Sequence, residues 1–93
     1  MQGQVEIDPV DLQFAPDENG GLHVSGSREM TVRHRGTGLV SVYNTKRWRP
    51  EIVAAFASGA VMRERDFLRY IQSERGRSAV RRFYPRTLTQ EDA

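Results

Sequence analysis

The sequence predicts an α+β fold. An N-terminal antiparallel β-meander of four or five short strands packs against one long, or broken, C-terminal helix, with a short third helix after it. Three observations predict this. Apolar and polar residues alternate through the first half, as in strands with one buried face. Turn-forming clusters, PDENGG at 16–21 and Gly36-Thr37-Gly38, punctuate that half at short intervals. Beyond Pro50 the apolar residues recur with the helical period instead. A sheet with one apolar face must bury it, and the helical stripe is the expected cover.

Taken in order, Val5 and Ile7 share a face. The phase flips at Asp8-Pro9, so that Val10, Leu12 and Phe14 point together, which reads as a turn or bulge. The PDENGG hairpin can close in two ways. An Asn-Gly two-residue turn sets Phe14 opposite Ser25, whereas a three-residue loop, Glu18-Asn19-Gly20, sets Phe14 opposite Val24 and Pro16 opposite Leu22. Register follows the buried face, so the longer loop is preferred, with Gly20 left-handed. In the next hairpin Met30, Val32 and His34 alternate with Thr31, Arg33 and Arg35. After the Gly36–Gly38 turn, Val40 and Val42 are expected to face Val32, which leaves Arg33, Arg35, Ser41 and Tyr43 on the wet face.

The helical half begins at Pro50, which suits the first helical position, followed by Glu51 at the positive end of the dipole. Val53, Phe56, Ala57, Ala60, Val61, Phe67, Leu68 and Ile71 fall within half a helical wheel, predicting one helix over 50–75. A break at Gly59 is the alternative, since glycine costs about 1 kcal/mol inside a helix. Glu64 sits in the apolar arc, so it is either buried against an arginine or marks a break. Gly76 suits a C-cap, and Ser78 suits the cap of a third helix, 79–84, stopped by Pro85. Ninety-three residues make a single domain, placed at 1–86, with 87–93 read as a disordered tail.

Composition bounds the function. There is no cysteine, so disulfides and thiolate metal sites are excluded. The longest apolar run, Ile52–Ala57, is far short of the ~20 residues of a membrane span. The N-terminus lacks the basic and apolar regions of a signal peptide, so the expected location is cytoplasmic and no membrane partner is expected. A net charge of +2 conceals an uneven layout. Residues 1–27 hold five acids and no lysine or arginine, while residues 28–86 hold all fourteen bases against five acids. Such asymmetry points to a polyanionic partner, or to acidic strands lying beside basic elements of the same fold.

No catalytic set stands out, and the protein reads as a non-enzyme without cofactor or metal. Two histidines, His23 and His34, offer no i, i+4 ligand pair. Gly36-Thr37-Gly38 lacks the following lysine and helix of a phosphate loop. A ribonuclease-like set, Arg33, His34, Arg35 and Tyr43, and a helix-turn-helix spacing at Ala55 and Gly59 are weaker readings. The stretch NTKRWRPE, 44–51, is the densest binding signal. It joins the only lysine and the only tryptophan with two arginines. Charged groups beside an aromatic platform are what single-stranded nucleic acid requires. With Pro50 at the first helical position, however, Trp48 and Val53 also have the spacing of a hydrophobic staple.

The candidate contact residues are Tyr43, Lys46, Arg47, Trp48 and Arg49, with Arg65 and Arg69 on the long helix and Arg81 and Arg82 on the third. The expected function is an accessory subunit or inhibitor acting through a protein partner within a nucleic-acid-processing complex. Arginine, tryptophan and tyrosine are the usual anchors of such contacts. Direct nucleic-acid binding through 46–49 and the helix arginines is the alternative, and a structural role in a larger assembly is the third. The sequence is compatible with a monomer or a homodimer.

Overall fold

The structure, a computed structural model, describes residues 3–85. The expected 87–93 tail lies outside these. Among the described residues seven strands form: β1 Gln4–Ile7, β2 Leu12–Pro16, β3 Leu22–Gly26, β4 Glu29–His34, β5 Val40–Asn44, β6 Ala60–Arg63 and β7 Val80–Phe83. Two helices of seven residues each join them, α1 Pro50–Phe56 and α2 Glu64–Tyr70, and a 3-10 turn follows at Arg75–Arg77. Strands β6-β1-β4-β5-β7 make one five-stranded sheet with antiparallel pairing throughout, and β2 and β3 stand apart as a hairpin.

This overturns the predicted fold class. No long C-terminal helix packs on a meander. The middle of the predicted 50–75 helix is strand β6, and the predicted third helix is strand β7. Gly59 causes the first difference. It adopts φ +89, and a Cβ there would lie 3.1 Å from the carbonyl oxygen of Ile7 and 3.1 Å from Pro9. A left-handed residue pressed against another strand ends a helix. Ala60–Arg63 then pairs with the free edge of β1, Val5 opposite Met62. Glu64, the misfit in the helical arc, opens α2. Residues 80–83 likewise complete the free edge of β5, Tyr43 opposite Val80 and Val42 opposite Arg81. Gly76 falls inside the 3-10 turn rather than capping a long helix.

The two hairpins divide. Phe14 stands opposite Val24 and Pro16 opposite Leu22, with Gly20 at φ 82, as the three-residue loop requires. Asp17 secures that loop, its Oδ1 accepting the Asn19 and Gly21 amides at 2.8 Å each. In the second hairpin His34 pairs with Leu39, so the loop holds four residues rather than three. Val32 therefore faces Ser41, not Val42. A one-residue slip reverses every side chain. Ser41 and Tyr43 point into the core, while Val40 and Val42 lie on the outer face beside Arg33, Arg81 and Phe83. They are nonetheless buried, as small side chains flanked by long arginine stems can be.

Both helices cover the opposite face. The core unites Val5, Ile7, Met30, Val32, Tyr43, Trp48, Val53, Phe56, Phe67 and Ile71. Edge-to-face aromatic contacts run from Trp48 through Tyr43, Phe67 and Phe56 to Tyr70, with ring centroids 5.6–5.8 Å apart. Each such pair contributes about 0.5–1.5 kcal/mol beyond its area. Among the described residues no helix is long and apolar enough to cross a membrane.

Candidate interaction surface at the β5–β7 end

The turn after β5 is fixed by local hydrogen bonds. Asn44 Oδ1 accepts the Lys46 amide at 2.9 Å. Buried Thr45 donates both its amide, at 2.7 Å, and its hydroxyl, at 2.9 Å, to the Arg28 carbonyl. The Trp48 amide closes back on the Thr45 carbonyl at 3.0 Å. This clamp sends Trp48 inward, 5 % exposed, into the same cluster as Val53, and leaves Lys46 and Arg47 outward. The staple reading of Trp48 fits this geometry. A stacking platform does not, because both Trp48 and Tyr43 are core residues.

Arg49 turns away from its neighbours. Its Nε donates to Glu74 Oε2 at 2.6 Å, and Glu74 is fully buried. The hydrogen bond to Glu74, and then that carboxylate's charge, raise the Arg49 pKa above its ordinary value. Arg49 is thus a structural tie between the start of α1 and the 3-10 turn. That tie, with the Arg77 amide donating to the Glu74 carbonyl at 2.9 Å, orders the approach of Arg77.

Arg77 then meets the basic loop. Asn44, Lys46, Arg47, Arg77 and Ala79 line a pocket of about 300 Å³. Across Asn44 and Ala79 it adjoins a smaller pocket, about 170 Å³, lined also by Glu29, Val42, Val80 and Arg81. Arg81 lies 3.9 Å from Glu29. Lys46, Arg47 and Arg77 have no acidic partner within 4 Å among the described residues. Phe83 and Tyr84, 40 % and 70 % exposed, extend the same edge.

The structure thus gathers Lys46, Arg47 and Arg81 of the expected residues and separates the others. Arg82, opposite Ser41, points to the other face of the sheet. Arg65 and Arg69 lie on α2, which packs over β1 and β6 at the far side. Arg77 was missed, and no local signal could have found it: only the β5–β7 pairing brings it to Lys46.

Part of the acidic N-terminal third is spent within the fold. Asp8 holds Arg33 in a two-pronged contact, Nε at 3.1 Å from both carboxylate oxygens and Nη2 at 3.0 Å. Hydrogen bonding to Asp8 and its charge raise the Arg33 pKa.

One other constellation has a chemical look. His34 Nε2 lies 2.9 Å from Ser41 Oγ, and Nδ1 lies 3.7 Å from Glu64 Oε2. Ser41 is fully buried, so its hydroxyl is not presented to a substrate. The Glu64 distance exceeds hydrogen-bond reach. The cluster ties β4 to β5. Of the ribonuclease-like set, Tyr43 is buried and Arg33 is held by Asp8. Among the described residues no group of three histidines and carboxylates could hold a metal. Compared with family models, curated proteins and solved structures, the chain matches none.

Proposed function

We propose that this protein is a non-enzymatic binding module that docks an acidic surface of a protein partner against the β5–β7 end of its sheet. The observation that carries this is the convergence of Lys46, Arg47 and Arg77 on one pocket without a carboxylate to neutralise them. Complementary charge steers such an encounter and sets its specificity. Phe83, opposite Val40 at the far end of β7, and Tyr84 after it add exposed aromatic surface along the same edge, and aromatic residues with arginine concentrate binding energy at protein interfaces. An accessory or inhibitory role on a nucleic-acid-handling complex is the form of this reading that the charge layout favours.

Direct nucleic-acid binding is the second reading, favoured by the same three cations and the exposed Tyr84 ring. Burial of Trp48 and Tyr43 counts against it, because it removes the aromatic pair around which a single strand would stack. Capture from a lysate of the source cell, with wild type beside Lys46→Glu/Arg77→Glu, tests the proposal. A protein retained by wild type after nuclease treatment and lost by the double variant supports it. Recovery of nucleic acid alone, with binding to labelled oligonucleotides that weakens steeply with salt, reverses the order of the two readings.

A further inference from the structure

The pocket between Lys46 and Arg77 has a chemistry narrower than positive charge. Its side chains present donors. Lys46, Arg47 and Arg77 bring an ammonium and two guanidinium groups, none of which can accept a hydrogen bond. Asn44, the remaining polar lining residue, commits its Oδ1 to the Lys46 amide at 2.9 Å, so its Nδ2 is the end left over. The Ala79 carbonyl is likewise taken, by the Asn44 amide at 3.0 Å. These two bonds also set the spacing of the cations. The first holds the turn that carries Lys46 and Arg47, and the second joins that turn to the chain that follows Arg77.

The free charge is concentrated at a point rather than spread along the edge. On one flank Arg49 is held by Glu74. On the other, Arg81 faces Glu29 at 3.9 Å, and the Glu29 side chain is 57 % exposed. A polyanion laid along the β7 edge would leave the pocket and meet that carboxylate. A compact anion avoids it.

We propose that the pocket takes a phosphomonoester, carried on a phosphorylated side chain of the protein partner. This rests on the docking reading above and names the group that the site grips. A carboxylate brings one charge and two oxygens, which leaves three cations under-neutralised. A phosphomonoester brings a charge of about −1.5 to −2 at neutral pH and three acceptor oxygens, close to one for each cation. Arginine holds such a group through paired N–H donors and lysine holds it as a point charge. Arginine clusters are a recurring means of recognising phosphorylated segments. A phosphodiester carries a single charge and comes in a chain of others, the arrangement that Glu29 opposes.

The test is titration of the isotope-labelled full chain with methyl phosphate at constant ionic strength, read by amide chemical shifts. Saturable shifts at Lys46, Arg47 and Arg77 are expected near pH ~7.5. Acetate and dimethyl phosphate, each singly charged, should bind roughly tenfold more weakly. Acidification to pH ~5 protonates the monoester, whose second pKa is about 6, and should weaken methyl phosphate severalfold while leaving dimethyl phosphate unchanged. Arg77→Ala, an exposed change, should abolish saturation at Lys46 and Arg47 with an unaltered Tm. Acetate as tight as methyl phosphate, or methyl phosphate indifferent to Arg77→Ala, overturns the proposal.

Phosphatase treatment separates this proposal from the docking reading. A protein captured by wild type, lost by Lys46→Glu/Arg77→Glu and released by phosphatase supports both. A protein lost by the variant but retained after phosphatase leaves the acidic docking surface standing and overturns the phosphoryl group. Methyl phosphate bound with no protein captured overturns the docking reading and the carrier proposed with it. An unphosphorylated oligonucleotide that shifts the same three amides and binds more tightly than methyl phosphate assigns the pocket to phosphodiesters, and overturns the proposal as well.

Discussion

Strands β6 and β7 close the two edges of the sheet, and each is a four-residue segment whose apolar pattern also fits a helix. The first carries Ala60, Val61 and Met62 before a single arginine. The second carries Arg81 and Arg82 at its centre. An edge strand exposes unpaired amides and carbonyls, and charged side chains are a common protection against unwanted pairing. Arg81 and Arg82 give β7 that protection on both faces, Arg81 beside Val42 and Arg82 beside Ser41. In β6 the one charged residue, Arg63, stands at the end of the strand and is held by Asp66 at 3.1 Å. What the difference teaches is that net charge describes this molecule poorly: two arginines occupy the centre of one edge strand, while the other holds a single arginine at its end, already tied to Asp66.

The strongest way to break the comparison is to remove the element that holds the β7 end in place. Trp48→Ala should cost about 3–5 kcal/mol, the range for emptying a buried aromatic site. A domain of this size has about 5–15 kcal/mol in all. Thermal denaturation should show a large fall in Tm or a chain unfolded at room temperature. A Trp48→Ala protein that melts like wild type yet loses its partner would make the ring a contact and the buried placement wrong.

The β6 end has its own weak point. Gly59→Ala must place a Cβ at φ +89 against the Ile7 carbonyl, and strain of this kind costs about 1–3 kcal/mol. The loss should be local. Amide exchange at Ala60 and Met62, which bond toward β1, should accelerate more than exchange at Arg81 and Phe83, which bond toward β5. Equal acceleration at both edges would mean that the sheet opens as one unit and that the edges are not separable.

Both edges were illegible in the sequence for the same physical reason. A four-residue segment completes about one helical turn or two strand repeats, so its apolar positions satisfy either period. What decides is a distant partner: Val5 for Met62, Tyr43 for Val80. The central strands were readable because turn residues flank them. The first hairpin came out in register because its two possible loops put Phe14 against either Ser25 or Val24, and only one unites apolar faces. The second was misjudged by one residue, since Val40, Ser41, Val42 and Tyr43 can bury either face. That slip exchanged Tyr43 for Val42 and put a core ring among the expected contacts. Lys46 and Arg47 survived as surface residues because the Asn44 and Thr45 hydrogen bonds, local in sequence, turn the chain there.

The smallest stability effects should come from that same stretch, and they separate its charges by role. Lys46 and Arg47 are exposed, and their side chains make no hydrogen bond or ion pair among the described residues. Alanine at either position should change stability by no more than about 0.5 kcal/mol while weakening attachment of the acidic partner. Arg49 is equally charged and two residues from Arg47, but its side chain alone bonds the buried Glu74 carboxylate, at Oε2, while Oε1 has no partner among the described residues. Arg49→Ala should lower Tm measurably, because the carboxylate it leaves behind has no access to water. Urea melts of the three single variants check this. If Lys46→Ala and Arg47→Ala destabilise as much as Arg49→Ala, the basic loop is part of the scaffold, and the pocket it lines with Arg77 loses its claim to be a docking surface.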